Sequence, residues 1–195
     1  MSIENNENIV YSAGVIELIT AGVEFCSFIE NETLNNRDEW IHKMLRLLPL
    51  IYMKVSQLPE LMQINEELPE TFVKEEDYVR VSAGVANIMG EEDVYLDVFM
   101  DEMKYSDRPI SSFVSENIAD VYQDIRNLVS IYQYNLTEQM NDALYVCQQH
   151  FRVYWGQKLI NVLRPLHSVL YNENDEEYND EYNDESELNM EDLWA

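Results

Sequence analysis

Apolar residues recur at steps of three and four along most of the chain as far as Tyr171, which predicts a series of amphipathic helices. From Ile9 to Glu30 the polar residues Glu17, Thr20, Glu24 and Ser27 form one narrow stripe and apolar side chains fill the rest. A helix apolar nearly all round is predicted to be central. A second helix is predicted from Asn36, which can cap it, with Glu39 completing a capping-box-like pair. It carries Trp40, Ile41, Met44, Leu45, Leu48, Ile51, Tyr52 and Val55. Pro49 lies inside it and its ring crowds the carbonyl of Leu45, which predicts a kink there and a stop near Leu58-Pro59. Residues 59–74, with two prolines and several acids, read as a connecting loop. A third helix is predicted from Glu75 to Met89, ended by Gly90. A short fourth helix is predicted over Glu92 to Lys104, with Tyr95, Val98, Phe99 and Met103 inward and Asp93, Asp97 and Asp101 along another side.

Ser115 is a suitable cap for a fifth helix, where Ile118, Val121, Ile125, Leu128 and Tyr132 follow at helical steps. Asn135-Leu136-Thr137 makes a short break, with Thr137 placed to cap the last and longest helix. That helix has the stripe Met140, Leu144, Cys147, Phe151, Trp155, Leu159, Leu163, Leu166 and Leu170. The mean step is closer to the roughly 3.6-residue period of a straight helix than to the roughly 3.5 of a left-handed supercoil. Pro165 predicts a bend near Asn161, and the short break predicts that the fifth and sixth helices pack antiparallel. The pattern therefore predicts an all-α fold: one compact bundle of five to six helices over residues 1–171, with a kinked long C-terminal helix.

Residues 172–195 break the pattern. They hold a tandem repeat, Tyr178-Asn179-Asp180-Glu181 and Tyr182-Asn183-Asp184-Glu185, with 11 acids and no Lys or Arg. This composition predicts a disordered acidic tail. At its tip Leu188, Met190, Leu193 and Trp194 bring apolar groups back. On a helix Met190 and Leu193 would share a face with Trp194 beside them, which suits a docking peptide.

Composition changes the picture in two ways. Only five glycines and five prolines occur, which favours long helices over strands and tight turns. The chain carries 38 acids against 12 bases, a net charge of −26. With 11 acids in the tail, the body keeps 27 acids against the same 12 bases. Such a surface repels phosphate, so direct nucleic-acid binding and anionic membranes are disfavoured. A DNA-mimicking role for the acidic body stands as a further alternative.

The start of the chain lacks the basic segment and apolar run of a signal peptide, and no uninterrupted apolar stretch of about 18 residues exists to span a bilayer. Cys26 and Cys147 fall within helical apolar patterns and lack metal-motif spacing, so they read as buried thiols. Together these features place the chain in a reducing cytosol.

One family resemblance is carried by Ala119-Asp120-Val121-Tyr122-Gln123-Asp124-Ile125, Asn141-Asp142-Ala143-Leu144, Tyr154-Trp155-Gly156-Gln157-Lys158-Leu159 and Leu163-Arg164-Pro165-Leu166-His167. Phe25-Cys26-Ser27-Phe28-Ile29-Glu30 and Leu47-Leu48-Pro49-Leu50 fit it too. The chain resembles a bacterial all-helical family, domain of unknown function 5063. The resemblance covers most of the body and implies a cytosolic bacterial helical domain; it brings no activity and no functional residue.

Few residues suggest chemistry. Glu39-x-x-His42 has the spacing of carboxylate-bridged di-metal bundles, but those need two such pairs. Asp120 and Asp124 lie one helical turn apart and could share a cation. Glu39, His42, Asp120 and Asp124 are thus weak metal candidates, weighed against a solvated acidic face. Cys147 and His150 could approach on one helix, but a thiol on the core stripe is usually inert. No Gly-rich phosphate loop or nucleophile elbow occurs. Arg152, Trp155, Lys158, Arg164 and His167 form the richest mix of basic and aromatic groups: an anion- or partner-binding patch, or charges that balance acids such as Asp120 and Asp124. Neither a catalytic set nor a cofactor is expected. The leading expectation is a non-enzymatic protein-interaction or adaptor domain with an unidentified protein partner. The alternative is a metal-dependent helical enzyme using clustered carboxylates.

Overall fold

The computed structural model describes residues 9–31, 36–97 and 110–171. Among the described residues the fold is all-α apart from one two-stranded sheet. Helix α1 spans Ala13–Glu30, α2 Arg37–Ser56, α3 Glu75–Met89, α4 Val114–Gln133 and α5 Met140–His150. A π-helical turn, Phe151–Trp155, joins α5 to a last helix α6 at 156–171. Strands β1 (Val94–Leu96) and β2 (Ser111–Phe113) pair antiparallel, with Tyr95 opposite Ser112. The tail residues Leu188, Met190, Leu193 and Trp194 lie outside the described residues.

The start of α2 and the end of α3 fall where the sequence predicts them. The Asn36 side chain accepts from the backbone N–H groups of Asp38 (3.0 Å) and Glu39 (3.2 Å), which satisfies two donors that a helix start leaves unpaired. The helix runs through Pro49 and ends at Ser56. Gly90, at φ +60°, terminates α3.

The central helix is α4, not α1. It packs against α1, α3 and α5, and buries Ile118, Val121, Tyr122, Ile125, Leu128 and Ile131 along its length. On α1, Ile16 is exposed and Ile19, Val23, Phe28 and Ile29 are half-buried. Its apolar girth exceeds what the bundle covers. Gly22 lets α1 approach closely: a Cβ there would lie 2.9 Å from the Val129 Cγ2 and 3.0 Å from the Ile125 Cγ2.

The predicted fourth helix does not form over its described part. After Gly90 a 3₁₀ turn, Gly90–Asp93, leads into β1, where Val94 and Leu96 are exposed and Tyr95 is half-buried. This is the alternation of a strand, and Val and Tyr suit it. Asp93 is buried and takes a tertiary role: its carboxylate accepts from the Ser115 backbone N–H (2.8 Å) and hydroxyl (2.7 Å). An acid at a helix start is favoured by the helix dipole. So α4 is capped by Asp93, and Ser115 lies inside the helix as a donor. Asp97 is also buried, accepting from Ser112 (2.9 Å) and Asn161 (2.9 Å). Val98, Phe99, Asp101 and Met103 lie outside the described residues. Thr137 caps nothing either; α5 starts at Met140, with Gln139 preceding it.

The departure from α geometry in the C-terminal helix falls at Phe151–Trp155, ahead of the predicted bend at Asn161. There the Gly156 N–H reaches back to the Phe151 carbonyl, and a Cβ on Gly156 would lie 2.4 Å from that oxygen and 2.9 Å from the Phe151 ring. Gly156→Ala should therefore lower stability by about 1–3 kcal/mol through overpacking. Gly84→Ala is the control: Gly84 sits within α3 with nothing within 4 Å of the added Cβ. It should gain about 1 kcal/mol from helix propensity. Urea denaturation of both variants checks the opposed signs; equal shifts would contradict the crowding at Gly156.

Candidate functional site

Two features lie along α5 and its neighbours: a polar seam and a pinned loop. The seam runs where α4 meets α5, the π turn and α6. His150 Nδ1 is 2.7 Å from Asp124 Oδ1, and Lys158 Nζ is 3.8 Å from Asp120 Oδ2. The pairing runs in opposite directions along the two helical segments, so α4 and the C-terminal helix are antiparallel as predicted. From α3 the Tyr78 hydroxyl donates to Asp120 Oδ1 at 3.0 Å. Tyr154, within the π turn, lies beside Asp120 as well.

Asp120 and Asp124 are thus not a solvated face. Only 12% of each side chain is exposed. Burial raises the Asp124 carboxyl above its ordinary range, and the hydrogen bond from His150 offsets this only in part. Burial and Asp120 push the Tyr154 hydroxyl up to about 12 and raise Tyr78 as well. Burial, with Asp124 adding to it, pushes the Cys147 thiol well up. A protonated thiol is a poor nucleophile.

The other candidates scatter. Glu39 and His42 are exposed at the start of α2, and His42 meets Tyr171 edge-on at 6.2 Å, away from the Asp120–Asp124 seam. Among the described residues no three His, Cys, Asp or Glu side chains converge as a metal site. Arg152 is exposed, 3.7 Å from Glu60. Arg164 is exposed, and His167 lies 4.6 Å from the Tyr171 ring. Trp155 is fully buried and donates to the Cys147 carbonyl at 3.2 Å. The structure therefore splits this basic and aromatic group: Trp155 belongs to the core and Lys158 to the seam.

The second feature is the segment 57–74, which crosses α4 and α5 without regular structure. Its backbone polar groups need partners, and buried or half-buried side chains supply them. Gln148 reaches the Pro59 carbonyl (3.0 Å) and Asn141 the Met62 carbonyl (2.9 Å). Asp142 accepts from the Ile64 N–H (2.7 Å), the Asn65 N–H (2.9 Å) and the Asn65 side chain (2.7 Å). Gln139 accepts from Glu70 (2.8 Å), and Asn127 from both Phe72 (2.7 Å) and Val73 (2.9 Å). Burial would raise the Asp142 carboxyl, but the two backbone donors and the Asn141 and Asn65 amides outweigh it and hold it below the ordinary range. Pinned this way, the loop still turns Met62 (77% exposed), Ile64 (54%) and Leu68 (75%) outward.

Two cavities flank it. An apolar one of about 350 Å³ opens between the loop, α4 and α5, walled by Leu68, Leu128, Ile131, Val146, Cys147 and His150. A polar one of about 440 Å³ is lined by Asn65, Glu66, Glu67, Glu70, Glu138 and Asp142. Leu68, Pro69 and Glu70 belong to both walls. Sequence reading missed Asn127, Asn141, Asp142 and Gln148. The available signal was polar residues interrupting the apolar faces beneath a long loop.

The model of a family described as a domain of unknown function, DUF5063, matches residues 9–172. A solved structure, protein BF1032 from Bacteroides fragilis, is similar to the chain at 39% identity with a TM-score of 0.73. The match covers 84% of this chain and 96% of that one. The comparison with curated proteins gives no match. No helix among the described residues is long and apolar enough to cross a membrane.

Proposed function

We propose, from the premise that the chain belongs to the DUF5063 family, that it is a non-enzymatic protein-interaction or adaptor domain of the bacterial cytosol. The observation that supports this is the loop 57–74. A loop longer than about 12–15 residues without regular structure is uncommon in a compact domain and is usually functional. Here five side chains from α4, α5 and the turn before α5 hold its backbone, while Met62, Ile64 and Leu68 face outward. A rigid surface with apolar side chains presented in advance binds without first losing loop entropy. The seam argues the same way: Asp120 and Asp124 already have partners, and the Cys147 thiol is held protonated. Free buried Cys26 and Cys147 suit a reducing compartment. The tail tip, Leu188, Met190, Leu193 and Trp194, is proposed as a second docking element.

The test uses the full chain as bait in bacterial lysate beside a Met62→Ser, Ile64→Ser, Leu68→Ser variant. These side chains are exposed, so the melting temperature should hold. At least one protein should be retained by the parent chain and lost from the variant. Identical sets of retained proteins, or none, would overturn the reading.

A further inference from the structure

The apolar cavity and the acidic one adjoin across the loop, because Leu68, Pro69 and Glu70 line both and form the ridge between them. On one side are Leu128, Ile131, Ala143 and Val146, with the paired Asp124 and His150 at the wall; on the other are Glu66, Glu67 and Glu138, and Glu70 stands between. The walls of neither compartment hold a Lys or Arg. Asp142 is already engaged by the loop, but Glu66, Glu67 and Glu138 are exposed. An occupant must therefore fill an apolar slot and bring positive charge beside it.

We infer that these adjoining cavities bind a short basic segment of a partner protein, in which a leucine-sized side chain enters the apolar compartment and adjacent Lys or Arg side chains enter the acidic one. This rests on the interaction reading and names its partner chemistry. Charge selects among occupants. The chain's own tail carries 11 acids and no base, and a second copy would bring its own net charge of −26. Both would set like charges together, which opposes docking. The ridge residues also explain why the loop is pinned: Gln139 holds Glu70 in place through its N–H, and Asp142 fixes Asn65 next to Glu66. Together they keep the acids beside the apolar slot.

The probe is a fluorescein-labelled synthetic peptide containing leucine among arginines and lysines, titrated with the full chain and read by fluorescence anisotropy. Three comparisons decide. Replacing its leucines with serine tests whether attraction to the acidic chain suffices alone. A Glu66→Gln, Glu67→Gln, Glu70→Gln variant removes the charge while keeping shape. Leu68→Ser, at an exposed site, removes part of the ridge without risk to the core.

Saturable binding is expected, weakened about tenfold or more by each change. Equal binding by the serine peptide, or undiminished binding to the Gln variant or to Leu68→Ser, would overturn the inference. So would equal or tighter binding of a peptide copying residues 172–195. Failure of the basic peptide while lysate capture still depends on Met62, Ile64 and Leu68 would sink only this partner class. Loss of both would sink the interaction reading too.

Discussion

Replacing Trp155 with alanine is expected to cost about 3–5 kcal/mol of folding stability, as large-to-small changes at fully buried aromatic positions do. Trp155 has no exposed surface. Its ring meets Phe151 edge-on at 5.0 Å, and Phe151 in turn meets Tyr52 of α2 at 4.9 Å. The indole therefore anchors the π turn to the bundle and, through Phe151, to α2. For a domain of this size each kcal/mol shifts the melting temperature by roughly 2–4 °C, so a fall near 10 °C is expected. Trp155→Phe keeps most of the volume and loses the N–H donated to Cys147; it should cost less, about 1 kcal/mol plus the smaller ring. Arg152→Ala and Arg164→Ala, at exposed positions nearby, should stay within about 0.5 kcal/mol. Thermal denaturation of the four variants checks this order. A Trp155→Ala protein that melts with the two arginine variants would refute the burial assignment.

The same residue shows how much the sequence carried. Trp155 lies both on the apolar stripe of the last helix and within a run of basic residues, and periodicity alone favours the stripe. That stripe held more information than its mean step. Eight turns of α-helix take about 29 residues, whereas Met140 to Leu170 takes 30. The extra residue is what a single π turn inserts, and Phe151–Trp155 is where it lies. Between Cys147 and Leu159 every step is four, which also points there. Pro165 lies inside α6, which stays helical to 171, so its ring does not report the π turn that precedes it.

Local signals were legible where the partner is local. The Asn36 cap and the bounds of α3 depend on residues within one turn. The start of α4 was misread because its cap, Asp93, comes from a separate segment. Once Asp93 serves that end, its neighbours Val94–Leu96 form a strand, and the proposed helix does not form over 92–97. The loop was legible as a loop, but its restraint was not. Asn141, Asp142 and Gln148 reach residues far away in sequence, and periodicity does not report on such pairs. The pairing of Lys158 with Asp120, in contrast, follows directly from the antiparallel order of two helices.

Asp142→Ala is expected to release the loop and cost about 2–4 kcal/mol, the range for losing hydrogen bonds to a charged group when some donors can turn to water. Asp142 is 1% exposed, and its two oxygens hold the Ile64 N–H, the Asn65 N–H and the Asn65 amide. Asp142→Asn keeps the shape but replaces one acceptor with a donor, so it faces one of those N–H groups with another. It should be destabilised as well, though less than alanine. The pH dependence separates charge from shape. The Asp142 carboxyl is held below its ordinary range in the fold, so the folded state binds its proton less readily than the unfolded chain. Its contribution is therefore complete above the unfolded value of about 3.9 and is lost as pH falls through the lower folded value. Asparagine does not titrate, so the stability gap between parent and Asp142→Asn should narrow below about pH 4. Urea denaturation at neutral and acid pH measures that gap. A gap that stays constant would mean the carboxylate charge contributes nothing to pinning the loop. Limited proteolysis at neutral pH should cut both variants within 60–70 before the helices. If the pinned loop presents the docking surface, both should also bind the basic peptide more weakly, through the freed loop and through the charge lost from the wall of the acidic compartment.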